Sequence, residues 1–260
     1  AIRRQRQMCI RDSVYTVGGV AQRFLYEEKW SQISNDYMFG TSGKSGIYET
    51  QFPNYGVTWE RAHKYNVGLE FGLWNGLLNG NIDLFHEKRN DILTNYLTRP
   101  EWVGVTMAAG NLGETVNSGF EIELKHNNHI GKEFQYNVGL TFSHAKNEIK
   151  NMDEPALKTD YRKREGHPIG QYYGLVCDGF VTAADVADPN FPTSTFGNVQ
   201  VGDLKYRDMN NDGFIDERDE TFIGYSDVPE NTYALTLGCN YKGIGFSVMF
   251  QGVDHVSRYY

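Results

Sequence analysis

Apolar and polar residues alternate along several long stretches of this chain. Between Tyr65 and Leu73 every odd position is apolar, and every even position is small or polar. The same period of two recurs in four further stretches, at 120–125, 134–143, 233–241 and 246–251. A period of two places successive side chains on opposite faces of a β-strand. The pattern predicts strands with one apolar face and one polar face.

Short turn sequences separate these stretches. Asn75–Gly76 and Asn79–Gly80 have tight-turn chemistry, and further turns are predicted at 127–132 and at Lys242–Gly243. Ordinary strands average about 5–6 residues, whereas a strand that crosses an outer membrane at a tilt needs roughly 9–11. Several of the predicted strands are of the longer kind. The fold prediction is therefore all-β, a partial antiparallel transmembrane β-barrel with long extracellular loops, and the alternative is a soluble β-sandwich.

Three stretches interrupt the alternation. Glycines and Pro53 predict a loop over residues 35–54, and a second loop or a glycine-bearing crossing is expected at 99–115. The third stretch, at about 150–230, is too long for an ordinary connection between strands. We expect it to be a large extracellular excursion.

Composition narrows the class further. The chain has 28 Gly, 17 Tyr and only 7 Pro, which fits long strands and tight turns. A net charge of -8 without a basic stripe argues against nucleic-acid binding. Cys9, Cys177 and Cys239 have no paired spacing, which excludes a disulfide framework and a cysteine-based zinc site. The mean hydropathy of -0.54 is no argument against a barrel, because lipid-facing and lumen-facing residues alternate.

The first dozen residues, AIRRQRQMCIRD, are basic and lack the strand pattern. The stretch MCIRD can be encoded by ATG-TGT-ATA-AGA-GAC, which resembles the mosaic-end adapter of transposase-based sequencing libraries. We interpret residues 1–12 as a non-native, adapter-derived segment, the alternative being a genuine basic loop. In either case they are excluded from the fold prediction.

An aspartate-rich stretch, Asp208–Asp219, has the ligand spacing of a calcium loop. Oxygen-bearing side chains fill loop positions 1, 3, 5, 9 and 12, and Gly213 falls at position 6, where a sharp turn needs positive φ. Hard oxygen ligands suit Ca²⁺, which takes roughly 6–8 of them. The predicted ligands are the side chains of Asp208, Asn210, Asp212, Asp216 and Asp219 and the backbone carbonyl of Phe214.

This stretch departs from the EF-hand in two ways. Position 12 is Asp219 rather than Glu, and the flanking segments, Val199–Tyr206 and Thr221–Gly224, read as strands rather than helices. We therefore expect a calcium loop of structural role inside a β protein, with Ile215 tucked inward as its anchor. The alternative is an acidic, solvated turn.

The sequence lacks the common catalytic motifs, while its many carboxylates leave a glycosidase-like pair open as the alternative. The 7 histidines form no HxxxH or HExxH set, there is no GxSxG, and Cys177 has no recognisable partner. We expect the protein not to be an enzyme.

Four local patterns follow one another in a defined order. They are NYGVTWE at 54–60 with YNVGL at 65–69, NLG at 111–113 with NSGFE at 117–121, GHPIG at 166–170 with YYG at 172–174 and DGF at 178–180, and GDLKYRD at 202–208 running into NNDGFID at 210–216. Together with FQG at 250–252 they resemble the signatures of SusC/RagA-type TonB-dependent outer-membrane transporters of Bacteroidota. Asn211 stands where the family more often has glycine. The likeness covers about 13–260.

The resemblance implies a position and a function. Residues 13–260 would be part of a TonB-dependent receptor β-barrel, an interior piece of a longer protein in the bacterial outer membrane. The transporter would import glycans or peptides together with a SusD-like lipoprotein, and the TonB complex would act through an N-terminal part that this sequence lacks. The remaining alternative is a secreted, calcium-stabilised soluble β-sandwich that serves as a binding module.

The same resemblance assigns roles to side chains on the two strand faces. The residues expected to line the lumen, or to contact the plug domain inside the barrel, are Asn66, Glu70, Glu121, Glu123, Gln135 and Asn137. The aromatic residues expected at the membrane interfaces or in core packing are Trp59, Trp74, Tyr136, Tyr233 and Tyr241.

Overall fold

The computed structural model describes residues 14–17, 20–40, 42–98, 101–155 and 159–259. The predicted adapter segment, 1–12, lies outside these residues, so its interpretation stays a prediction. The strands are β1 (Val14–Val17), β2 (Val20–Arg23), β3 (Lys29–Phe39), β4 (Ser42–Phe52), β5 (Arg61–Leu73), β6 (Leu78–Thr94), β7 (Thr106–Met107), β8 (Gly110–Ile130), β9 (Phe134–Asn151), β10 (Gln171–Gly174), β11 (Cys177–Phe180), β12 (Thr193–Ser194), β13 (Leu204–Tyr206), β14 (Phe214–Ile215), β15 (Thr221–Ser226), β16 (Asn231–Tyr241) and β17 (Ile244–Asp254).

Helical structure is minor in the described residues. One short α-helix, α1, covers Ala183–Ala187, and single 3₁₀ turns cover Glu101–Val103, Asp160–Arg162 and Glu217–Asp219. In this part of the chain no helix is both long enough and apolar enough to cross a membrane.

Six strands form the main antiparallel sheet, in the order β17-β16-β9-β8-β6-β5. Short turns join β5 to β6, β8 to β9 and β16 to β17 at one end of this sheet. The turn predicted at Asn75–Gly76 is confirmed, and Lys242 and Gly243 both have positive φ, 48° and 86°, as a two-residue hairpin turn requires. Asn79–Gly80, predicted as a turn, instead lies inside β6.

The long connections leave the opposite end of the sheet. They are residues 95–109, between β6 and β8 and including the short β7, and residues 152–230, between β9 and β16. We call residues 152–230 the loop region, and its limits agree with the predicted excursion. Strands β6, β8 and β9 have 17, 21 and 18 residues, against 11 in β16 and β17. Because Asn231 of β16 pairs with His144, the last seven residues of β9 rise beyond β16 toward this loop end.

The register separates the main sheet into two faces. A row such as Leu69, Ile82, Ile122, Phe142 and Tyr233 runs across neighbouring strands on one side. We call this side the apolar face and the opposite side the polar face. The alternation predicted along each strand is confirmed, and the register aligns it across the whole sheet.

The apolar face is uncovered. The side chains of Val67, Leu69 and Phe246 are 66%, 58% and 65% exposed. A soluble sandwich would bury this face against a second sheet, so the sandwich alternative is wrong. Within the residues that the structure describes, the sheet is a partial antiparallel barrel that stays open, since β5 and β17 stand at its two edges.

The loop predicted at 35–54 is mostly strand. β3 and β4 pair as an antiparallel hairpin around Gly40, which has a φ of 67°. Gly43 and Gly46 therefore lie inside β4 without breaking it. Hydrogen bonding to β3 orders the backbone at these two positions, where no side chain is present to do so. A small core of Leu25, Leu93, Ala108 and Ala109 joins this hairpin region to the loop ends of β6 and β8.

The loop region contains its own small strand pairs. β10 pairs with β15 and β11 with β13, both antiparallel, while β12 pairs with β14 in parallel. Of the segment 199–206, predicted as one strand, only Leu204–Tyr206 is strand.

Candidate functional site

The aspartate loop, Asp208–Asp219, lies in the loop region between β13 and β15. Gly213 has a φ of 83°, as its place in a sharp turn predicts. Ile215 is 5% exposed, so the predicted inward anchor is confirmed. Asp219 is fully buried, which the sequence pattern did not predict.

The carboxylates of this loop accept hydrogen bonds from its own backbone. Asp208 accepts from the N–H groups of Asn211 and Gly213 at 2.6 and 2.8 Å. The buried Asp219 accepts from Met209 N–H on one oxygen, at 3.0 Å, and from Asp216 N–H on the other, at 2.9 Å. Asp219 thereby joins the two ends of the loop, because a buried carboxylate is tolerated only when donors satisfy its oxygens.

Arg218 is a further member of this cluster, which the ligand spacing does not predict. Its Nε donates a hydrogen bond to Asp216 Oδ2 at 3.0 Å, and its Nη2 lies 2.8 Å from the same oxygen. Its Nη1 lies 3.7 Å from Asp212 Oδ2. The Arg218 backbone N–H and its guanidinium together hold the pKa of Asp216 below its ordinary value. The ligand spacing alone carried no signal for this, because position 11 of a calcium loop is not a ligand position.

All six predicted ligand residues lie within this one loop. No group of three or more His, Cys, Asp or Glu in the described parts of the chain is arranged to hold a metal ion. The loop carboxylates point to backbone amides and to Arg218 instead. Calcium binding stays a prediction.

Neighbouring segments hold the aspartate loop in place. Thr193 N–H donates to Gly213 O at 2.9 Å, through the parallel pairing of β12 with β14. The Tyr161 hydroxyl donates to Arg218 O at 2.8 Å, and Thr221 Oγ1 donates to Tyr161 O at 2.6 Å. The loop is thus tied to segments on both sides of it in sequence.

Ion pairs organise the rest of the loop region. Arg207 holds Asp178 through two contacts, at 2.9 and 2.6 Å, and Lys205 contacts Asp185 at 2.5 Å. The guanidinium of Arg207 lowers the pKa of Asp178. The ammonium of Lys205, together with the side chain and backbone of Thr182, lowers the pKa of Asp185.

The loop region docks on the main sheet at two places. On the part of β9 that extends beyond β16, Gly166 N–H donates to Ile149 O at 2.8 Å and Ile149 N–H donates to His167 O at 3.0 Å. Beyond β17, Ser257 N–H donates to Ser226 O at 3.0 Å. The predicted excursion is therefore folded back onto the barrel wall.

Two asparagines from the sequence patterns connect the segment that precedes β5 to the loop ends of β6 and β8. Asn54 Nδ2 donates to Ala109 O at 2.9 Å. Asn111 exchanges hydrogen bonds with the backbone of Thr58, at 2.9 and 2.8 Å, and also donates to Asp91 O at 2.7 Å. The asparagines of the patterns NYGVTWE and NLG thus have a structural role, since an amide side chain offers a carbonyl acceptor and two N–H donors at one site.

All six side chains predicted to line the lumen or contact the plug lie on the polar face, according to the strand register. The same face carries ion pairs of Lys64 with Glu87, at 2.8 Å, and of Lys125 with Glu123. Of the predicted aromatics, Tyr136, Tyr233 and Tyr241 lie on the apolar face.

His86 and His144 make hydrogen bonds across paired strands. His86 Nδ1 lies 2.8 Å from Ser118 Oγ, and His144 Nδ1 lies 2.7 Å from Asn231 Oδ1. Both are accounted for by strand pairing at the loop end of the apolar face.

Comparison with known proteins adds the family. A sequence model described as "TonB dependent receptor-like, beta-barrel" matches residues 30–260. TonB-dependent receptor P3 of Formosa agariphila is 27% identical over 240 residues, which cover 86% of this chain and 23% of the relative. TonB-dependent receptor SusC of Bacteroides thetaiotaomicron is 26% identical over 230 residues, which cover 83% and 22%. The chain spans less than a quarter of these relatives.

Solved structures show the same fold. The RagAB peptide importer in its "open-open" state matches with a TM-score of 0.60 at 20% identity, over 89% of this chain and 24% of that one. Its "closed-closed" state matches with a TM-score of 0.56 at 20% identity, over 88% and 24%. At this identity the likeness supports the fold.

Proposed function

Since this chain belongs to the TonB-dependent receptor-like β-barrel family, as a SusC/RagA-type member of the outer membrane, we propose that it forms part of the wall of a transporter. The transporter imports a glycan or a peptide through the outer membrane, driven by the TonB complex and assisted by a SusD-like surface lipoprotein. Its relatives are receptors and transporters rather than enzymes.

One observation carries the proposal, namely that the main sheet is two-faced from its short-turn end up to the row of Leu84 and Phe120. Beyond this row, toward the loop end, the same side of the sheet carries charged residues such as Lys88, Lys146 and Glu148. An uncovered apolar face suits contact with lipid, and a polar face on the other side suits a water-filled or protein-filled lumen. Short turns at one end and long connections at the other match the periplasmic and extracellular ends of such barrels. On this basis the loop region is extracellular.

A structural neighbour is named as a peptide importer, which supports the peptide class. The glycan class and the SusD-like partner are what the resemblance to SusC/RagA-type transporters implies. A plug domain would fill the lumen, and the N-terminal part of a longer chain would contact TonB. The folded loop region offers the lipoprotein an ordered extracellular surface.

Import by the complete transporter tests this function. We expect cells that express it with its neighbouring lipoprotein to take up an oligosaccharide or an oligopeptide only when TonB is intact. The lipoprotein should co-purify with the barrel in detergent. Uptake that is indifferent to TonB, or a barrel that passes only small solutes by diffusion, would contradict the proposal.

We propose a structural role for the aspartate loop as a calcium site. Its oxygen spacing supports this, and so does its position, because it lies where β12, the 160–162 turn and β15 meet. A bound cation would hold these segments together and would keep the loop region ready to meet the lipoprotein.

A further inference from the structure

A hydrogen-bonded row of side chains crosses three strands at the loop end of the apolar face. Asn231 on β16 is paired with His144 on β9 and with Asp254 on β17. The Asn231 amide lies between two histidines, since His144 Nδ1 is 2.7 Å from its Oδ1 and His255 Nδ1 is 2.9 Å from its Nδ2. We call His144, Asn231 and His255 the histidine bridge.

The two ends of the amide determine what each histidine of the bridge must do. An amide oxygen only accepts hydrogen bonds, so His144 must carry a hydrogen on Nδ1. An amide nitrogen only donates, so His255 must offer the lone pair of Nδ1 and carry its hydrogen on Nε2. His144 can therefore bind a second proton and keep its hydrogen bond. His255 cannot, because that proton would occupy the lone pair that accepts from Asn231.

A carboxylate lies next to the same ring nitrogen of His255. Asp254 Oδ2 is 3.1 Å from His255 Nδ1, a distance close to the 2.9 Å that separates this nitrogen from Asn231 Nδ2. A neutral His255 accepts from Asn231, whereas a protonated His255 donates to Asp254 instead. The nitrogen thus has two alternative partners, and a proton selects between them. Histidine is the side chain whose charge ordinarily changes between about pH 5 and 8.

The other groups around the bridge leave this choice to His255. The ring of Phe120, on β8, has its centroid 5.6 Å from that of His144 and carries no charge. The ring of Tyr225, on β15, meets His255 edge-on with centroids 4.7 Å apart, and a phenol does not ionise between about pH 5 and 8. The remaining charged residues near the bridge, by strand face or by sequence, are Lys146, Asp227, Glu230 and Arg258. Within the described residues none of these four forms an ion pair with either histidine.

The bridge is attached to the last residues of the loop region. Glu230 N–H donates to His255 O at 3.2 Å, and Ala145 N–H donates to Glu230 O at 2.9 Å. Two residues after His255, Ser257 N–H donates to Ser226 O at 3.0 Å. His255 itself has a left-handed φ of 53°, which a residue other than glycine seldom adopts unless its surroundings hold it there. A change of partner at His255 therefore acts on the docking place beyond β17.

We propose that His255 is a pH-sensitive latch between the loop region and the barrel wall. At neutral pH it accepts from Asn231, and the docking place beyond β17 is closed. When a proton from the solvent binds to Nδ1, the ring turns to Asp254, the bridge opens at one end, and residues 225–230 lose part of their attachment. This latch goes beyond the proposed transport function and does not depend on the nature of the cargo.

Hydrogen exchange measured across this pH range tests the latch. Protection factors of residues 221–230 and 255–259 are determined on the complete transporter in detergent between about pH 5 and 8, after correction for the intrinsic exchange rate at each pH. We expect them to fall about tenfold as the pH decreases, which is the size expected for the loss of one hydrogen bond. The protection factors of residues 134–143, in β9, should stay constant.

Two matched substitutions identify the histidine that responds to pH. In His255→Asn the side-chain Oδ1 takes the place of the ring Nδ1 and accepts from Asn231, but it binds no proton in this range. This variant should stay protected at low pH. In His144→Asn the side-chain Nδ2 takes the place of the donating nitrogen, so the fall in protection should persist. Asp254→Asn removes the alternative partner and should shift the fall to lower pH.

Several outcomes would overturn the latch. A parent profile that does not change with pH is one, and a fall that persists in His255→Asn is another. A fall that is lost in His144→Asn but kept in His255→Asn would assign the response to the wrong end of the bridge. An unchanged profile of Asp254→Asn would remove the alternative partner from the mechanism. Surface level and heat-modifiable migration show that each variant is folded and inserted.

Discussion

Glycines inside the strands mark close approaches that only a missing side chain allows. A Cβ added at Gly119 would lie 2.0 Å from the carbonyl oxygen of His144 on the paired strand. At Gly139, on the next strand, the nearest atom would be Thr236 Cβ at 3.7 Å, an ordinary contact. The two positions look alike in the sequence and differ only in their surroundings.

Gly119→Ala should therefore destabilise the sheet, and Gly139→Ala should not. The first change forces β8 and β9 apart at a backbone atom, and we expect a loss of about 1–3 kcal/mol in unfolding free energy. Urea unfolding of the barrel in detergent micelles, followed by tryptophan fluorescence, measures both. Equal stability of the two variants would show that the strands adjust without cost.

The aspartate loop allows a direct test of calcium binding. If its oxygens can turn from the backbone amides to a cation, calorimetry on the complete transporter should show heat of calcium binding at millimolar calcium or below. This is the concentration range in which extracellular calcium sites bind their ion. Asp212→Ala should abolish the heat, while Asp188→Ala, outside the loop, should leave it. A silent titration of the parent would reduce the stretch to an acidic turn fixed by Arg218.

At the scale of elements, the register predicts which strand positions meet lipid. Spin labels at Val67 and Leu69 should report lipid contact, while labels at Gly68 and Glu70 should not, because the two pairs point to opposite faces. Electron paramagnetic resonance with oxygen as the relaxation agent distinguishes the two environments. Reversed accessibilities would shift the register by one residue.

A charge on the apolar face provides a second test of the same element. Leu69→Arg should lower the unfolding free energy by roughly 2–4 kcal/mol if position 69 lies near the bilayer midplane. Gly72→Arg, on the polar face of the same strand, is the control and should cost much less. Comparable losses would argue against lipid at the apolar face.

The ion pairs of the loop region predict acid sensitivity. The pKa values of Asp178, Asp185 and Asp216 are all lowered by basic partners and by N–H donors. Folded pKa values below the unfolded ones mean that this stabilisation is present above about pH 4 and is lost as pH falls through the lowered values. The hydrogen-exchange protection factors of residues 177–220 should thus fall below roughly pH 4 before those of the main sheet. Uniform exchange across both would contradict this.

At the scale of the whole molecule, the loop region contacts the barrel wall, but none of its described strands belongs to the main sheet. Its contacts with the sheet run through the edge of β9 and the segment after β17. Replacing residues 170–225 with a short Gly/Ser linker should leave outer-membrane insertion and heat-modifiable migration intact. Co-purification with the lipoprotein should be lost. Failure to insert would mean that the loop region is needed to build the wall itself.

The strand pattern by itself determined the main sheet. A period of two over six to ten residues is typical of no other regular structure, and it predicts the two faces of β5, β8, β9, β16 and β17 from the sequence alone. The glycine at loop position 6 and the inward Ile215 were likewise readable, because both follow from local backbone geometry. The ordered sequence patterns indicated the family, which the comparisons confirm.

Only the tertiary structure decided the features that depend on partners distant in sequence. The sequence predicts a loop in place of the β3–β4 hairpin because the glycines of this segment interrupt any period, whereas the strand pairing gives the segment its order. The roles of Asn54, Asn111 and Arg218 arise from backbone and carboxylate groups that folding brings to them. The continuous apolar face appears only when the register aligns six strands, since the alternation along one strand does not reveal which strands will be its neighbours.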